Sequence, residues 1–214
     1  MQLFSSLRTA SLAAAALIVA GCGGASTTPS TGSNSTPSPA PTSSASSQFT
    51  FGGSSASGTF SSGTTPGAVS LSAYHNVAVS VQFVAPSSGS GTLNFSDALN
   101  NGDVSPNTLP ADAATAGYSP VVYLSVVNPG STDISFGTNI PAFTVTNTAG
   151  FGSAATCSLD VYGKNGNSNT PGWFASGGTG SIAGNAVTIG PVQLPAGNTV
   201  DFKSGQQIVA ISCH

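Results

Sequence analysis

The chain has 214 residues, of which only 4% are charged, and it carries a net charge of −3. Typical globular domains hold about 25% charged residues, so solubility here must come from Ser, Thr, Asn and Gly. Glutamate is absent, and Arg8, Lys164 and Lys203 are the only basic side chains. Binding to nucleic acid needs clustered Lys and Arg to neutralise phosphates, so that partner class is excluded.

Residues 1–21 have the layout of a secretory signal. Arg8 precedes an apolar run, Leu12–Ala20, of about nine residues. That is too short for a spanning helix, which needs about 20. The run ends in Val19-Ala20-Gly21-Cys22, which resembles the lipobox of bacterial lipoproteins. The resemblance implies cleavage before Cys22 and lipidation of the mature Cys22 by three acyl chains. One acyl chain alone holds a protein only marginally, whereas several make a stable anchor. Gly23 stands where an aspartate would mark inner-membrane retention in enterobacteria. The resemblance therefore points to the bacterial cell envelope, with the outer membrane or cell surface favoured over the inner membrane. The competing reading is a plain cleaved secretory signal with a cysteine at its end by chance.

Residues 22–47 follow as the lipidated Cys22 and then, over 23–47, Gly, Ala, Ser, Thr, Asn and Pro, including Ser35-Thr36-Pro37-Ser38-Pro39-Ala40-Pro41. Such a stretch has too little apolar surface to offset ordering entropy, so it reads as a disordered tether that proline stiffens. Residues 48–214 then form the folded part, about 165 residues, enough for one domain with a real core.

From Gln48 onward the hydrophobic period is two. Val77, Val79, Val81 and Phe83 alternate with Ala78, Ser80 and Gln82, the mark of a strand with one buried face. Shorter runs of the same kind are Val69/Leu71/Ala73, Leu93/Phe95, Phe143/Val145, Cys157/Leu159/Val161, Val187/Ile189 and Val200/Phe202. Val209, Ile211 and Cys213 share a face in the last run. Val121–Val127 is apolar on both faces and so belongs in the centre of a sheet. Residues 49–64, with Phe49, Phe51 and Phe60, fit edge strands. Turn residues separate the runs at Asn128-Pro129-Gly130, Lys164–Asn167, Gly184-Asn185 and Pro195–Asn198, and Gly184-Asn185 fits a tight hairpin. A single helical turn is expected near Ser96–Asn100 and a surface loop over 101–120. Strands at this spacing, with almost no helical pattern, predict an all-β protein: a single β-sandwich of immunoglobulin-like architecture with eight to ten strands.

With Cys22 acylated, Cys157 and Cys213 remain. A pair in an oxidising compartment predicts a disulfide. The alternative is two buried free thiols. Trp173 lies between them, as in the Cys…Trp…Cys order of immunoglobulin domains. Ile211 stands where those domains place a tyrosine, so the similarity is one of architecture and not of family.

The search for chemistry yields no catalytic set. The Gly-x-Ser-x-Gly elbow is absent; His75 sits before a strand and His214 at a frayed end. Gly150-Phe151-Gly152-Ser153-Ala154-Ala155 matches a dinucleotide fingerprint, but that motif needs a following helix, and a strand is expected there. Asp97, Asn100, Asn101 and Asp103 form an oxygen-rich group whose spacing does not fit an EF-hand loop, and an Asn101-Gly102 turn explains them equally well. The expectation is therefore no metal, no cofactor and no enzymatic activity. Trp173, Phe174 and Tyr162, with Tyr118, are the candidate ligand-binding residues, as an aromatic platform for stacking on sugar rings. Two functions compete: a structural, adhesive or protein-binding envelope module, and a carbohydrate-binding module. The partners expected are the membrane, through the N-terminal lipid, and an envelope protein or glycan.

Overall fold

In the computed structural model, residues 49–106, 109, 119–163, 172–196 and 198–214 are described. Cys22, the signal and tether segments, Tyr118 and the 164–167 turn lie outside them. Each alternating run of the sequence contains a strand. In chain order the strands are β1 (Thr50–Phe51), β2 (Ser55–Phe60), β3 (Val69–Ser70), β4 (Val77–Gln82) and β5 (Gly91–Ala98). A 3₁₀ turn, Asn101–Asp103, leads into β6 (Val104–Ser105), β7 (Ser119–Asn128), β8 (Ile134–Ser135), β9 (Asn139–Ile140) and β10 (Ala142–Asn147). Then come β11 (Thr156–Gly163), β12 (Gly172–Ala183), β13 (Ala186–Ile189), β14 (Val192–Gln193), β15 (Asp201–Phe202) and β16 (Gly205–Cys213).

Ten of these form one antiparallel sheet in the order β2-β5-β7-β16-β11-β12-β13-β10-β4-β3. The sheet folds on itself at β12, giving an all-β sandwich that is nearly barrel-like. Residues 172–181 of β12 pair with β11, whereas Ile182 and Ala183 pair with Val187 and Ala186 of β13. The bend has local causes. A bulge opposite Leu159 and Asp160 inserts extra residues into β12, and bulges increase twist and bend a strand. Ser176 patches the break, donating its hydroxyl to the Leu159 carbonyl at 2.6 Å and accepting from Gly178 N–H at 3.1 Å. At Gly180 a Cβ would lie 2.3 Å from the Thr188 carbonyl oxygen, so only glycine permits this approach.

The core fills the space between the two halves. Val77, Val79, Val81, Phe143, Val145, Val187 and Ile189 face Leu93, Phe95, Val122, Leu124, Leu159, Val209 and Ile211, all buried. One end is closed by aromatic rings. Phe83 meets Phe60, Phe95, Phe136 and Phe202 at centroid distances of 4.8, 5.9, 4.9 and 5.9 Å. Such pairs add about 0.5–1.5 kcal/mol each beyond their burial.

A second apolar cluster lies on the outer face of the sheet, where β1 and β6 pair as a short strap. Phe49, Phe51, Val104 and Leu109 pack there with Ala98, Tyr123, Tyr162, Ile208 and Ala210. This explains why β7 is apolar on both faces. It is interior to the sheet, with the main core on one side and the strap on the other.

Four expectations need correction. β5 continues as strand through Ala98, because Asp97 and Ala98 pair with Leu124 and Tyr123; the helical turn falls later, at Asn101–Asp103. Ala73 is exposed, because the chain leaves β3 after Ser70 to make the Tyr74–Val77 turn. Of residues 49–64, only β2 is an edge strand of the main sheet, while Phe49 and Phe51 belong to the strap. The C-terminal His214 is not frayed: its N–H donates to the Thr156 carbonyl at 2.9 Å. The Gly184-Asn185 hairpin forms as expected, with Gly184 at φ +60°.

Candidate functional site

Cys157 and Cys213 are bonded. They are direct partners on neighbouring strands β11 and β16, with Cα atoms 4.0 Å apart. The next pair, Thr156 and His214, exchanges backbone hydrogen bonds. The cysteines therefore occupy a non-hydrogen-bonded position, where side chains of an antiparallel pair come closest. An immunoglobulin bridge joins two sheets; this one joins two strands of the same sheet half.

The expected aromatic platform is split by strand geometry. Tyr162 and Trp173 are cross-strand partners on the outer face, their rings 5.3 Å apart. Tyr162 is 8% exposed, covered by Phe49 and Trp173. Trp173 is half-buried and also packs on Tyr123 at 6.4 Å. Phe174 pairs with Val161, and successive residues of a strand point to opposite faces. Phe174, 37% exposed, therefore stands away from the Tyr162–Trp173 pair. The three rings do not form one surface.

The end of the sandwich opposite the phenylalanine cluster carries features that the sequence did not single out as a site. Tyr74 and Val77 exchange backbone hydrogen bonds of 2.8 and 3.1 Å, which closes a two-residue turn through His75 and Asn76. His75 adopts φ +51°, the one positive φ among described non-glycine residues. Its ring lies 4.5 Å from that of Tyr74. An open cleft of about 360 Å³ adjoins this turn, with Val77, Leu99, Val121 and Phe151 as apolar walls and His75, Asn76 and Asn147 among the polar ones. Asn147 is engaged by its own loop, accepting from Ala149 N–H at 3.0 Å and donating to the Gly150 carbonyl at 2.6 Å.

Beside the same turn lies a carboxyl group in an unusual place. Asp97 continues the inward row of Leu93 and Phe95 and is 0% exposed. Its Oδ1 accepts from Ser54 N–H at 2.6 Å, while Oδ2 is buried with no hydrogen-bond partner. Burial, and then the charge of Asp103, push its pKa above the ordinary carboxylate range, against the pull of the backbone donors. Asp103 accepts from Leu99 N–H at 3.1 Å through Oδ2 and from the Tyr74 hydroxyl at 3.4 Å through Oδ1. Desolvation, then the charge and hydrogen bond of Asp103, raise the Tyr74 phenol in turn. Asn100 and Asn101, grouped with these aspartates by sequence, are turn acceptors: Asn100 Oδ1 takes Gly102 N–H at 2.7 Å and Asn101 Oδ1 takes Leu109 N–H at 3.2 Å.

His214 Nε2 bonds Thr156 Oγ1 at 3.0 Å on the exposed surface. The glycine motif at 150–155 leads into strand β11 and supplies no helix N-terminus. Among the described residues no three His, Cys, Asp or Glu side chains converge as a metal-ligand set, and no helix is long and apolar enough to cross a membrane.

Comparison with known proteins returns no matching family model, no matching curated protein and no matching solved structure.

Proposed function

We propose that this chain is a lipid-anchored, exported protein of the bacterial cell envelope, and that its sandwich is a non-enzymatic structural, adhesive or protein-binding module. The anchor reading rests on Val19-Ala20-Gly21-Cys22 and the short apolar run before it. One structural observation supports the module reading above the others. The folded part begins at a fixed point, because Gln206 holds the Phe49 backbone through two hydrogen bonds of 2.8 Å. A Ser/Thr/Pro-rich segment that ends on such a clasp suits the presentation of a rigid body at a distance from a membrane.

The surface supports the same reading. It is poor in charge, and among the described residues its exposed strand positions are largely Ser, Thr and Gln. A glycan-binding platform of Trp173, Phe174 and Tyr162 has less support, since Phe174 faces away and Tyr162 is covered.

Mass spectrometry of detergent-extracted protein tests the anchor. The expected N-terminus is an acylated Cys22, and Cys22→Ala blocks maturation or releases the protein from the membrane. An unmodified mature N-terminus overturns this. Glycan-array binding that is lost in Trp173→Ala, with the fold retained, would replace the protein-binding reading by the carbohydrate one. Turnover in a broad hydrolase screen, abolished by His75→Ala, would overturn the non-enzymatic reading.

A further inference from the structure

We propose that Asp97 and Asp103, with Tyr74 holding Asp103 in place, form a weak binding site for a hard divalent cation of the calcium type. Three chain segments meet here: the Tyr74 hydroxyl of the β3–β4 turn lies 3.4 Å from Asp103 Oδ1 of the 3₁₀ turn, and Asp103 and Asp97 of β5 accept through their carbonyls from the consecutive Gly52 and Gly53 N–H groups at 2.9 Å each. The sequence alone argues against a cation here, because it offers one loop with the wrong spacing. The fold changes the membership of the group. Asn100 and Asn101 drop out, their amide oxygens taken by Gly102 and Leu109. Tyr74, 29 residues from Asp103, comes in.

The decisive observation is the second oxygen of Asp97. It is fully buried and has no hydrogen-bond partner, although Oδ1 of the same carboxyl is satisfied. Buried carboxylates are normally paired with a cation or saturated with donors. No basic side chain among the described residues performs that task. Lys203, the sole described Lys or Arg, follows Phe202, which belongs to the aromatic cluster at the far end. The ionisable groups whose charges couple to that of Asp97 are instead a second carboxylate, Asp103, and the Tyr74 phenol bonded to it, both oxygen ligands. Either a proton or a metal ion must relieve such an arrangement. Calcium accepts a flexible shell of carboxylate, carbonyl and water oxygens. Two carboxylates in one site suit the weak class of extracellular calcium modules, with Kd about 10⁻⁴–10⁻³ M.

The test uses the purified full chain stripped with chelator. Titration with calcium chloride, followed by calorimetry and by thermal unfolding, is expected to saturate in that concentration range and to raise the unfolding midpoint. Terbium added as a calcium substitute is expected to luminesce through excitation of the neighbouring Tyr74, and calcium displaces it. Asp97→Asn keeps an acceptor for Ser54 N–H, and Asp103→Asn keeps one for Leu99 N–H, so both retain the local hydrogen bonds. Each is expected to weaken the calcium response by at least about tenfold, because calcium affinity follows the charge count of the ligands. No calcium-dependent heat or midpoint shift in the unmodified chain overturns the site. So does a response that both asparagine variants keep in full. Terbium emission that survives in Tyr74→Phe overturns its location.

Discussion

The side-chain amide of Gln206 acts as a missing strand partner for Phe49. Its Oε1 accepts from Phe49 N–H and its Nε2 donates to the Phe49 carbonyl, each at 2.8 Å. The same Nε2 donates to Ser125 Oγ at 2.7 Å, which ties the clasp to the central strand β7. Phe49 is buried beneath this arrangement and packs edge-on against Tyr162 at 6.3 Å. Gln206→Ala leaves a partly buried N–H, a carbonyl and a hydroxyl without partners. The expected loss is about 1–3 kcal/mol, read by denaturant unfolding. Hydrogen exchange should rise first at residues 49–53, ahead of the main sheet.

The disulfide closes a loop of 56 residues between two strands of the sheet. In the chain-entropy account its removal costs at most about 4 kcal/mol, and disulfides typically contribute about 2–4 kcal/mol. The double variant Cys157→Ser/Cys213→Ser should unfold at correspondingly lower denaturant. Thiol labelling of the unfolded, unreduced parent should find neither cysteine free. Labelling of both would contradict the bond.

Asp97 predicts a pH dependence of definite sign. Burial holds its pKa above the ordinary 3.8 in the folded chain. Folded protein then binds the proton more tightly than unfolded protein does. The resulting stabilisation is complete below the unfolded value and is lost as pH rises through the raised folded value. In chelator-treated buffer the unfolding midpoint should therefore fall with rising pH over that window. Asp97→Asn, which cannot ionise, should remove this part of the fall.

His75 carries a backbone penalty that a glycine would not. A left-handed φ costs an L-residue about 1–2 kcal/mol, partly offset by the entropy that glycine loses on folding. His75→Gly should stabilise the protein by up to about 1 kcal/mol. A drop in the thermal midpoint would show that the Tyr74–His75 ring contact outweighs the strain.

Gly180→Ala should act in the opposite direction. The new methyl group meets the Thr188 carbonyl oxygen of β13, and backbone cannot yield as a side chain can. A loss of about 1–3 kcal/mol is expected, the usual range for overpacking. Circular dichroism during thermal unfolding measures it.

Much of the sandwich is legible in the sequence because burial on one face leaves an alternating record. The row Val77, Val79, Val81 identifies β4 by its period alone, and the two-sided run Val121–Val127 identifies β7 as a central strand. Strand β12 leaves no such record. Its sequence, GWFASGGTGSIA, reads as loop, and pairing with β11 makes it a strand. For the same reason Trp173 and Phe174 read as one platform: they are neighbours in a loop but opposites in a strand. Asp97 breaks the inward pattern of β5 and suggests a turn, although its pairing with Leu124 keeps the strand going. The association of Tyr74 with Asp103 joins residues on separate elements, and no local signal carries it. The Gln206 clasp is invisible for the same reason, spanning 157 positions.

The position of β16 has a consequence for biogenesis. It lies between β7 and β11 in the middle of the sheet, yet it follows every other strand in chain order. Until it emerges from the ribosome, β5–β7 and β11–β12 have no common neighbour, and one half of the sandwich cannot assemble. Loop-closure entropy keeps such long-range pairings slow. A nascent chain of this design completes that half of the sheet only once β16 is available. Under the proposed export, an incomplete sheet of this kind is the form in which a polypeptide threads a narrow channel, with folding completed on the far side.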